Sequence, residues 1–483
     1  MKIIISYPPL QGKGSPMLTQ NRQFQWYHEP SYIYPVVMAS AATLLQKHDH
    51  AVIWNDCIAQ HIKWNGFLTI LKKEKPDLLV FETKTPVVRQ HWYIINQVKK
   101  HFPKIKTVLL GDHVTALPKE SMKTCHVDFI ITGGDYDTML LALLNHLQHH
   151  TPLPKGVWYR KKGEILSTGP YALTKNLNTL PIIDRTRTKA HLYGEKWKKR
   201  TPFFYTMAGR DCWWKKCTFC SWTTLFPTFR TQTPKRLLDE IGYLIDTYDA
   251  KELFDDTGTF PIGNWLKTFC QGMIDRGYNE KILFSANMRF GCLDKKTLLL
   301  MKQAGFRKLK IGLESGNQYT LDRIHKGITV EQIKKDCKMI SETGLDIHLT
   351  IMVGYPWETK KDAHRTYILA KELMEKGYIE MLQSTIVIPY PGTPLYKEAV
   401  KNKWFTISPT DYDSFDMSKP ILKTPDMTPS EIEQLCRDIY ALHFNIKFIL
   451  QRITQSNPIT NFPYFLRGIQ AIIGHLKDFQ KSV

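Results

Sequence analysis

Three cysteines are grouped within nine residues, at Cys212, Cys217 and Cys220. Thiolates are the usual protein ligands of iron–sulfur clusters, and short loops let one segment bind several irons. Three thiolates on a cluster of four irons leave one iron open to an exogenous ligand, as a catalytic cluster requires. The group therefore predicts a [4Fe–4S] cluster that takes part in chemistry.

Two other interpretations of these cysteines stay open at this point. Zinc is the rival metal, but structural zinc sites have four ligands with paired spacings. No second cysteine pair or histidine pair follows at such a distance. The other interpretation is that the cysteines only pack or form disulfides. The chain has nine cysteines and no predicted secretion signal, which favours a reducing cytoplasm.

The composition is that of an ordinary globular protein with an excess of positive charge. Of 483 residues, 43% are hydrophobic and 23% charged, and the formal net charge is +21. No apolar run of about 18 residues predicts a membrane span. Because Lys and Arg are spread along the chain, a solvated basic surface is one interpretation and peripheral contact with anionic membrane the other. We expect a cytoplasmic protein, at the inner membrane face in the second case, and we do not expect nucleic acid as a partner.

Residues 1–150 alternate short apolar runs with helical patterns. Five strands separated by helices predict an α/β domain with a parallel, doubly wound, Rossmann-like sheet. In such sheets ligands bind beyond the carboxyl ends of the strands. The first strand is not followed by GxGxxG, which weighs against a dinucleotide; a domain that serves only as a scaffold is the alternative. The predicted strands are Lys2–Tyr7, Ala51–Asn55, Asp77–Glu82, Thr107–Leu110 and Phe129–Thr132.

A second βα series follows a connector, residues 151–195, in which Gly156–Ser167 has the pattern of a hairpin. Six successive βα units in residues 196–400 predict a partial (β/α)6, TIM-like barrel. Active sites of such barrels lie in the loops after the strands, and the cysteines follow the first strand. The predicted strands are Phe203–Met207, Glu252–Asp255, Leu283–Asn287, Lys308–Gly312, Ile347–Val353 and Glu380–Ile388. The predicted helix caps are Thr233, Asp294 and Thr329.

The last segment, residues 401–483, has a helical pattern. Thr428 to Glu431 is typical of a capping box at the start of a helix. Two amphipathic stretches, Tyr440–Thr454 and Tyr464–Lys477, combine Phe, Ile and Leu with Lys, Arg and His. Packing against the barrel is one expectation for them. The other is an interfacial surface that meets lipid or a greasy substrate.

With the cysteines on the rim of a six-unit barrel, the chain resembles the radical S-adenosylmethionine (SAM) superfamily. The likeness is to its cobalamin (B12)-binding branch and covers about residues 1–400. In that family three cysteines hold a [4Fe–4S] cluster and SAM chelates the open iron. The resemblance assigns the three cysteines to the cluster and places Phe219 beside the adenine. The commonest family spacing is three residues and then two, whereas the first gap here has four.

The loops after the later barrel strands carry more of the likeness. Gly312–Gly316, after the fourth strand, is the most specific, and its Glu314 resembles the ribose-binding acid. Gly354–Thr359 and Pro389–Tyr396 resemble the turns that close the fifth and sixth units. The acidic pair after the second strand matches a position that contacts the methionyl amine, with a helix N-terminus as the alternative. The resemblance assigns to SAM the residues Phe219, Asp255, Asp256, Ser285, Asn287, Arg289, Glu314, Ser315 and Gly354.

The N-terminal domain resembles the cobalamin-binding module that precedes such barrels. The likeness lies in Gly111–Pro118 and Gly133–Tyr136. Asp-x-His-x-x-Gly, which supplies a lower histidine ligand to cobalt in other B12 enzymes, is missing. We therefore expect cobalamin without a protein histidine on cobalt, and His113 beside the corrin. The resemblance assigns to cobalamin the residues Pro8, Pro9, Thr83, Thr85, Gly111, Asp112, His113, Gly133, Gly134 and Asp135.

The resemblance implies a cobalamin-dependent radical SAM enzyme. Such enzymes cleave SAM reductively to a 5′-deoxyadenosyl radical and functionalise an unactivated carbon of a small-molecule or lipid-like substrate. Their electrons come from a donor of the flavodoxin or ferredoxin type. We expect C-methylation, with oxidative cyclisation or rearrangement by the same cofactors as the alternative. A non-catalytic iron–sulfur redox sensor that binds nucleic acid is a remote third hypothesis.

Overall fold

The structure, a computed structural model, describes residues 1–12, 14–16, 26–173, 176–455 and 462–479. Two large sheets dominate these residues, one of seven strands and one of six. Each is mainly parallel, and each belongs to one of the two α/β regions predicted from the sequence. A helical segment follows the second sheet.

The N-terminal sheet is built from strands that are buried on both faces. Ile3, Ile4 and Ile5 of its first strand are fully buried, as is typical of a parallel strand covered by helices on both sides. The strands of this region are β1 (Lys2–Tyr7), β2 (Ser15–Pro16), β3 (Trp26–Tyr27), β4 (Ala51–Asp56), β5 (Leu78–Thr83), β6 (Lys106–Gly111), β7 (Phe129–Ile131), β8 (Val157–Lys161) and β9 (Glu164–Ser167). The helices are α1 (Val36–Lys47), α2 (Trp64–Glu74), α3 (Val88–His101), α4 (Asp112–Ala116), α5 (Pro118–Thr124) and α6 (Tyr136–His149).

The strand order of this sheet is β4-β1-β5-β6-β7-β8-β9. The first five of these strands pair in parallel, which confirms the predicted α/β sheet. The predicted hairpin is also confirmed, since β8 and β9 pair with each other. Its first strand pairs antiparallel with β7, so that the hairpin extends the N-terminal sheet.

The second sheet contains six parallel strands that follow one another in chain order. Its strands and the short pair beside it are β10 (Phe203–Thr206), β11 (Gly209–Arg210), β12 (Arg230–Thr231), β13 (Glu252–Asp255), β14 (Leu283–Met288), β15 (Phe306–Glu314), β16 (Asp346–Val353) and β17 (Met381–Ile386). The helices are α7 (Trp222–Leu225), α8 (Pro234–Tyr248), α9 (Asn264–Asp275), α10 (Tyr278–Lys281), α11 (Lys295–Gln303), α12 (Gln318–Arg323), α13 (Val330–Glu342), α14 (Lys360–Glu375) and α15 (Pro394–Lys401). The order β10-β13-β14-β15-β16-β17 is that of the predicted six βα units. Within the described chain β10 and β17 are the two ends of this order, as in a partial barrel.

The predicted caps of the barrel helices are confirmed. The side chains of Thr233, Asp294 and Thr329 each accept a hydrogen bond from the backbone N–H three residues further on. Such caps satisfy one of the unpaired N–H groups at a helix start and stabilise it by about 1 kcal/mol. They fix where each helix begins, and hence the length of the loop between strand and helix.

One buried arginine links the amino ends of several barrel strands. Arg307 donates to Glu252 at 3.0 Å and to Glu380 at 3.4 Å, and its guanidinium lies 3.5 Å from Asp346. Burial disfavours its charge, but these carboxylates outweigh burial and raise the pKa of Arg307. Because the three carboxylates belong to different strands or their immediate starts, the cluster fixes the end of the barrel opposite the cysteines.

In the C-terminal segment the described residues form three α-helices, α16 (Pro429–Ala441), α17 (Ile446–Gln455) and α18 (Phe462–Asp478). The predicted capping box of α16 is confirmed, since Thr428 and Glu431 bond each other's backbone N–H groups. Among the described helices, none combines the length and the apolar character that crossing a membrane requires.

The C-terminal helices pack against the barrel, which was one of the two expectations for them. The Tyr440 hydroxyl donates to the carbonyl of Ser384 at 3.0 Å, and the Tyr464 hydroxyl donates to Glu380 at 2.7 Å. Residues 456–461, which separate the two predicted amphipathic stretches, lie outside the described residues.

Candidate active site at the rim of the barrel

The cysteine loop is closed at its base by a short antiparallel pair. β11 pairs with β12, which places Arg210 opposite Arg230, and we refer to residues 211–229 between them as the cysteine loop. All nine cysteines of the chain lie among the described residues, and all are free thiols. The disulfide interpretation is therefore wrong for this structure.

The three grouped cysteines, Cys212, Cys217 and Cys220, border one cavity of about 310 Å³. Burial is the main reason why the pKa of the Cys217 thiol and that of the Cys220 thiol are raised, and the negative charge of neighbouring thiolates adds to it. Thiolates that repel one another in a buried place are stabilised by a metal centre among them.

Three thiols border the cavity, one fewer than the four ligands of a structural zinc site. Among the described residues, no group of three or more His, Cys, Asp or Glu side chains is placed to hold one metal ion. A zinc ion needs its sulfur ligands within about 2.3 Å of one point. Thiols spread around a cavity suit a group with several metal atoms, each bound to one of them.

The four residues between Cys212 and Cys217 include Trp214, which packs against other segments of the barrel. The Trp214 ring lies 3.8 Å from the Arg289 guanidinium, and its Nε1 donates to the carbonyl of His325 at 2.8 Å. The next residue, Lys215, has a left-handed φ of 54°, which turns the chain back toward Cys217. Trp214 therefore anchors the cysteine loop to the segments that follow β14 and α12.

The acidic pair assigned to SAM, Asp255 and Asp256, is buried and is not among the residues that line the cavity. Asp255 accepts from the Thr206 hydroxyl and from the backbone N–H of Ala208, each at 2.8 Å. Burial raises the pKa of Asp255 to about 6, although these donors oppose the shift. Its contacts join β13 to the residues after β10.

Two small residues that sequence analysis missed take the place of this acidic pair at the cavity. Gly258 and Thr259 line it, and the Thr259 hydroxyl lies 2.9 Å from the Cys212 sulfur. A Cβ at Gly258 would lie 3.2 Å from the backbone of Asp211. The small residue at position 258 is the sequence signal that could have indicated this close approach of the two loops.

The third barrel strand contributes a polar amide and a cation. Asn287 and Arg289 line the cavity, whereas Ser285 lies two residues deeper in β14 and is buried. Arg289 donates to the carbonyl of Gly327 at 3.0 Å and also to that of Lys326. These bonds hold the guanidinium at the cavity wall, beside the ring of the cysteine-loop tryptophan.

Glu314 faces the cavity and pairs with a lysine that sequence analysis missed. Glu314 Oε1 accepts from Lys326 Nζ at 2.7 Å, and both residues line the cavity. Burial disfavours the lysine charge, but Glu314 and then Cys217 outweigh it, so that the pKa of Lys326 is raised. Glu314 has a φ of 65°, a strained value that turns its carboxylate off the strand.

The remaining residues assigned to SAM divide between the cavity and its support. Phe219 lines the cavity. Ser315 instead donates to Glu358 at 2.8 Å, and a Cβ at Gly354 would lie 3.0 Å from the Ile432 side chain. Ser315 and Gly354 therefore lie behind the wall, where they position the loops after β15 and β16.

Strands β16 and β17 and the segment after them complete the cavity wall. This part is mostly apolar, with a few hydroxyl and amide groups. Sequence analysis assigned none of its residues to a site, and only Tyr390 falls within a motif, the turn Pro389–Tyr396. They are Thr350, Ile351, Met352, Gln383, Thr385, Ile386, Ile388, Tyr390 and Met417.

The threonines and the histidine assigned to cobalamin are buried at the carboxyl end of the N-terminal sheet. Thr83 Oγ1 lies 2.7 Å from His91 Nδ1, and Thr85 Oγ1 lies 3.2 Å from His113 Nδ1. The ring of His113 packs edge-on against Tyr412, with 4.5 Å between ring centres. Burial lowers the pKa of His113 to about 4, which keeps the ring neutral.

Asp112 at the same edge belongs to a buried charge cluster. Lys84, which is fully buried, lies 3.8 Å from Asp112 and 3.9 Å from Glu82. Pro8 is buried, and Pro9 is half-buried and borders a groove on the surface of the N-terminal domain. These residues contact protein neighbours in the described arrangement.

The glycines assigned to cobalamin are covered by protein atoms. A Cβ at Gly134 would lie 2.1 Å from the Phe226 ring, and one at Gly133 would lie 2.5 Å from the Tyr171 ring. Gly111, with a φ of 131°, lies against a β5 carbonyl that a Cβ would meet at 2.0 Å. Here only glycine is tolerated, because the neighbouring protein leaves no space for a side chain.

Asp135, the last residue assigned to cobalamin, faces the barrel. It accepts from Arg210 at 2.7 Å and from Arg230 at 2.7 and 2.9 Å. This carboxylate therefore joins the N-terminal domain to the base of the cysteine loop.

Residues 208–370 match the family described as the radical SAM superfamily. The match spans the cysteine loop, the strand that leads to Arg289, and the Glu314–Lys326 pair. Residues 208–370 form a radical SAM domain. The resemblance inferred from the cysteines and the barrel loops is thereby confirmed.

Relatives of the radical SAM domain and its flanking regions include methyltransferases and cyclases. An uncharacterised methyltransferase of Pyrococcus horikoshii is 27% identical over 84% of this chain and 86% of its own length. The anaerobic magnesium-protoporphyrin IX monomethyl ester cyclase of Cereibacter sphaeroides is 22% identical over 88% of this chain and 68% of its own. The bacteriochlorophyllide d C-8(2)-methyltransferase of Chlorobaculum tepidum is 23% identical, with coverages of 84% and 86%.

Two solved radical SAM enzymes share the fold over nearly the whole chain. The methyltransferase TsrM of Kitasatospora setae, solved with cobalamin and a [4Fe–4S] cluster, has a TM-score of 0.67 at 13% identity, covering 91% of this chain and 88% of TsrM. OxsB, a cobalamin-dependent enzyme solved with aqua-cobalamin and SAM, has a TM-score of 0.71 at 15% identity, covering 98% and 71%. The N-terminal α/β domain and the barrel that follows it therefore share the overall fold of these two solved structures.

In the described arrangement, protein neighbours contact the residues assigned to cobalamin. The Phe226 ring covers Gly134 and the Tyr171 ring covers Gly133, so closely that a Cβ on either glycine would overlap the ring. The threonines, His113 and Asp135 are engaged with protein partners. A corrin could reach Gly133 and Gly134 only if the side chains of Tyr171 and Phe226 moved.

Proposed function

We propose that the chain is a radical SAM enzyme that functionalises an unactivated carbon of a small molecule, with methyl transfer as the favoured outcome. One observation carries this proposal. Three free thiols, the Glu314–Lys326 pair and Arg289 border a single cavity at the rim of the barrel. This is the set of groups needed to hold an iron–sulfur cluster and a zwitterionic, ribose-containing cofactor side by side.

In this proposal Cys212, Cys217 and Cys220 hold a [4Fe–4S] cluster, and SAM binds next to it. Together the two groups supply a carbon radical able to remove hydrogen from an unactivated carbon. Arg289 offers a cation to the SAM carboxylate. Glu314 accepts hydrogen bonds from ribose hydroxyls.

The other wall residues orient these groups and exclude water. Lys326 holds the Glu314 carboxylate in place through a buried pair. Trp214 stacks on Arg289 and prevents the guanidinium from turning toward solvent. The apolar part of the wall, from β16 and β17, surrounds the space left for a substrate and protects a reactive radical from side reactions.

Formation of 5′-deoxyadenosine tests the proposal. The chain is reconstituted with iron and sulfide under anaerobic conditions and incubated with SAM and dithionite. We expect 5′-deoxyadenosine and methionine from the wild type and a large loss of both in Glu314→Gln, which retains the shape of the side chain without its charge. A reconstituted chain that carries iron yet leaves SAM intact would refute the proposed activity.

Methyl transfer and cyclisation are separated by following the methyl group of SAM. Relatives named as methyltransferases cover this chain at 27% and 23% identity, and one named as a cyclase at 22%. Methyl-labelled SAM is incubated with the reduced enzyme and a small-molecule extract of the source cells. Label in a new extracted compound supports methyl transfer, and SAM consumption without such label favours cyclisation or rearrangement.

We propose cobalamin as a further cofactor, because the chain shares its fold with TsrM and OxsB, both of which were solved with cobalamin. The probe is hydroxocobalamin, added during anaerobic reconstitution and followed by its visible spectrum after gel filtration. We expect retention of the corrin by the wild type. We also expect faster uptake by Phe226→Ala, since Phe226 covers Gly134 in the described arrangement.

We propose that an acidic flavodoxin docks at the cysteine loop to supply electrons. Lys215 and Lys216 of this loop are exposed beside the thiols. Lysines at such a position steer an acidic partner and fix its approach. Lys215→Gln/Lys216→Gln should lower the rate with flavodoxin but not with dithionite. Lys72→Gln/Lys73→Gln, an exposed pair on α2, is the control, and equal effects of both pairs would refute the docking site.

We also propose that the C-terminal helices contact an anionic membrane or a lipid-like substrate surface. Apolar side chains on and beside α17 and α18 are strongly exposed, and basic residues such as Lys447 and Lys477 accompany them in a chain of net charge +21. Exposed apolar faces with cations favour the interface of anionic bilayers. The exposed apolar residues are Phe444, Ile446, Ile449, Leu450, Leu466, Ile469 and Ile473.

Flotation with vesicles of phosphatidylglycerol tests this contact. We expect the wild type to float with the vesicles and Ile446→Ser/Leu450→Ser to remain at the bottom. Leu299→Ser/Ile368→Ser changes two exposed apolar residues elsewhere, 44% and 49% exposed, and should float like the wild type. A wild type that stays wholly at the bottom would exclude this membrane contact.

A further inference from the structure

A buried ion-pair cluster joins the N-terminal domain to the base of the cysteine loop. Arg210, two residues before Cys212, donates to Asp135 at 2.7 Å and to both oxygens of Asp137. Arg230, its partner across the β11–β12 pair, donates to the two oxygens of Asp135 at 2.7 and 2.9 Å. Arg210, Asp135 and Asp137 are almost fully buried.

The cluster contains equal numbers of positive and negative groups, and its hydrogen bonds fix the orientation of each side chain. Two guanidinium groups face two carboxylates, and the bonds are bidentate, which makes them strong and orientationally specific. Burial by itself would raise the pKa of Asp135, but the charges of Arg210 and Arg230 outweigh it and hold that pKa below its usual range. Asp137 also accepts from the Ser40 hydroxyl at 2.9 Å, so its carboxylate is fixed from the side of the N-terminal domain as well.

The far end of the three cysteines is fastened to the same side of the molecule. α7 begins two residues after Cys220. The carbonyl of Leu225 in α7 accepts from the backbone N–H of Gly134 at 3.0 Å, and the carbonyl of Thr224 accepts from the Tyr171 hydroxyl at 2.7 Å. Both flanks of the three thiols are therefore held by residues of the N-terminal domain and the connector.

We propose that Asp135 and Asp137 are positioning residues, through which the N-terminal domain sets the place of the thiols at the rim of the barrel. The inference rests on the proposed function, in that the loop is taken to hold an iron–sulfur cluster. Neither carboxylate is among the residues that line the cavity, so each acts through Arg210 and Arg230. The N-terminal domain thereby has a second role besides any ligand it binds: it holds the cysteine loop in the position that the metal centre requires.

The test compares Asp137→Asn with Glu252→Gln in the full chain, reconstituted anaerobically. Glu252 is also fully buried and pairs with an arginine, Arg307, at 3.0 Å, but at the opposite ends of the barrel strands. Iron is removed by an excess of chelator and its release is followed with time. We expect Asp137→Asn to speed this release at least about tenfold, because breaking a buried ion pair raises the population of the locally opened loop by such a factor.

Glu252→Gln should release iron within about twofold of the wild-type rate, even if this substitution lowers the thermal stability of the chain. The electron paramagnetic resonance signal of the reduced cluster should change in Asp137→Asn and stay as in the wild type in Glu252→Gln. Arg210→Lys, which keeps the charge but cannot form the bidentate bonds, should give an intermediate rate.

Equal release rates for Asp137→Asn, Arg210→Lys and Glu252→Gln, with unchanged resonance signals, would overturn the positioning role while leaving the proposed function intact. A wild type that takes up no cluster would instead refute the proposed function, and this inference with it.

Discussion

The buried pair between Glu314 and Lys326 gives a quantitative prediction: the losses of stability caused by Lys326→Met and by Glu314→Gln should not add in the double variant. The Nζ and Oε1 atoms are 2.7 Å apart, and the two side chains are 10% and 9% exposed. At an effective dielectric constant of about 20, unit charges at that separation attract each other by about 6 kcal/mol. Desolvation offsets part of this attraction, and the loss of one partner from a buried pair typically costs about 3–5 kcal/mol.

The double variant leaves no unpaired charge in the cavity wall. We therefore expect its loss of unfolding free energy to be smaller than the sum of the single losses by at least about 2 kcal/mol. The matched control is Lys334→Met, which removes a lysine paired with Glu372 at 3.0 Å in a more exposed setting. It should cost no more than about 1 kcal/mol.

The assay is urea unfolding of the cluster-free chain, followed by circular dichroism, with the free energies compared at a common urea concentration. Working without the cluster separates the pair from any effect on metal binding. Single losses that add within about 0.5 kcal/mol would refute the reasoning, because they would mean that the two charges do not depend on each other.

Three further predictions concern the cysteines, a buried acid and the base of the barrel. Cys217→Ala should abolish the visible iron–sulfur absorbance of the reconstituted chain, and Cys337→Ala, within α13, should not; similar spectra would argue against the cysteine loop as the cluster site. Burial raises the pKa of Glu358 from 4.5 to about 7. The native state therefore holds this proton after the unfolded state has lost it, so stability falls by about 3 kcal/mol as pH rises between these values. Glu358→Gln should remove this part of the decline in melting temperature, and parallel profiles of the two proteins would contradict the assignment. Arg307→Met should lower the unfolding free energy by about 3–5 kcal/mol, since it leaves buried carboxylates without their partner, yet leave SAM cleavage per bound iron unchanged.

The strands and their order could be predicted because the signals for them are local. Apolar runs of strand length alternate with helices whose starts carry recognisable caps, such as Thr233 and Asp294. Once strands follow one another with a helix between each pair, parallel pairing in chain order is nearly forced by the handedness and length of the connections. The position of the cysteine loop on the rim then follows without further information.

The choice of side chain at the end of each strand could not be predicted to the same degree. Ser285 and Asn287 share one face of β14 because side chains alternate along a strand, but only Asn287 reaches the rim. Asp255 lies at the correct end of its strand and still turns toward its neighbours, where Thr206 satisfies it. Depth along a strand and competition from nearby donors depend on three-dimensional neighbours, which a motif does not contain.

The contacts of the N-terminal domain with the rest of the chain could not be predicted from the sequence either. Phe226 covers Gly134 although the two are about 90 residues apart in the chain. Tyr412 packs on His113 across an even longer separation. Such pairs are set by how the domains dock, and nothing in either local pattern indicates its partner.

The pairing of β11 with β12 has a consequence for the chain without its metal centre. These strands hold the two ends of the cysteine loop together through the protein itself, and Arg210 and Arg230 tie that base to the N-terminal domain. Backbone pairing and buried ion pairs thus offset the entropy lost in closing the loop. Zinc fingers differ in this respect, because they unfold without their ion. Oxidative destruction of the cluster should therefore leave a folded apoprotein, ready to be loaded again when iron and sulfide return.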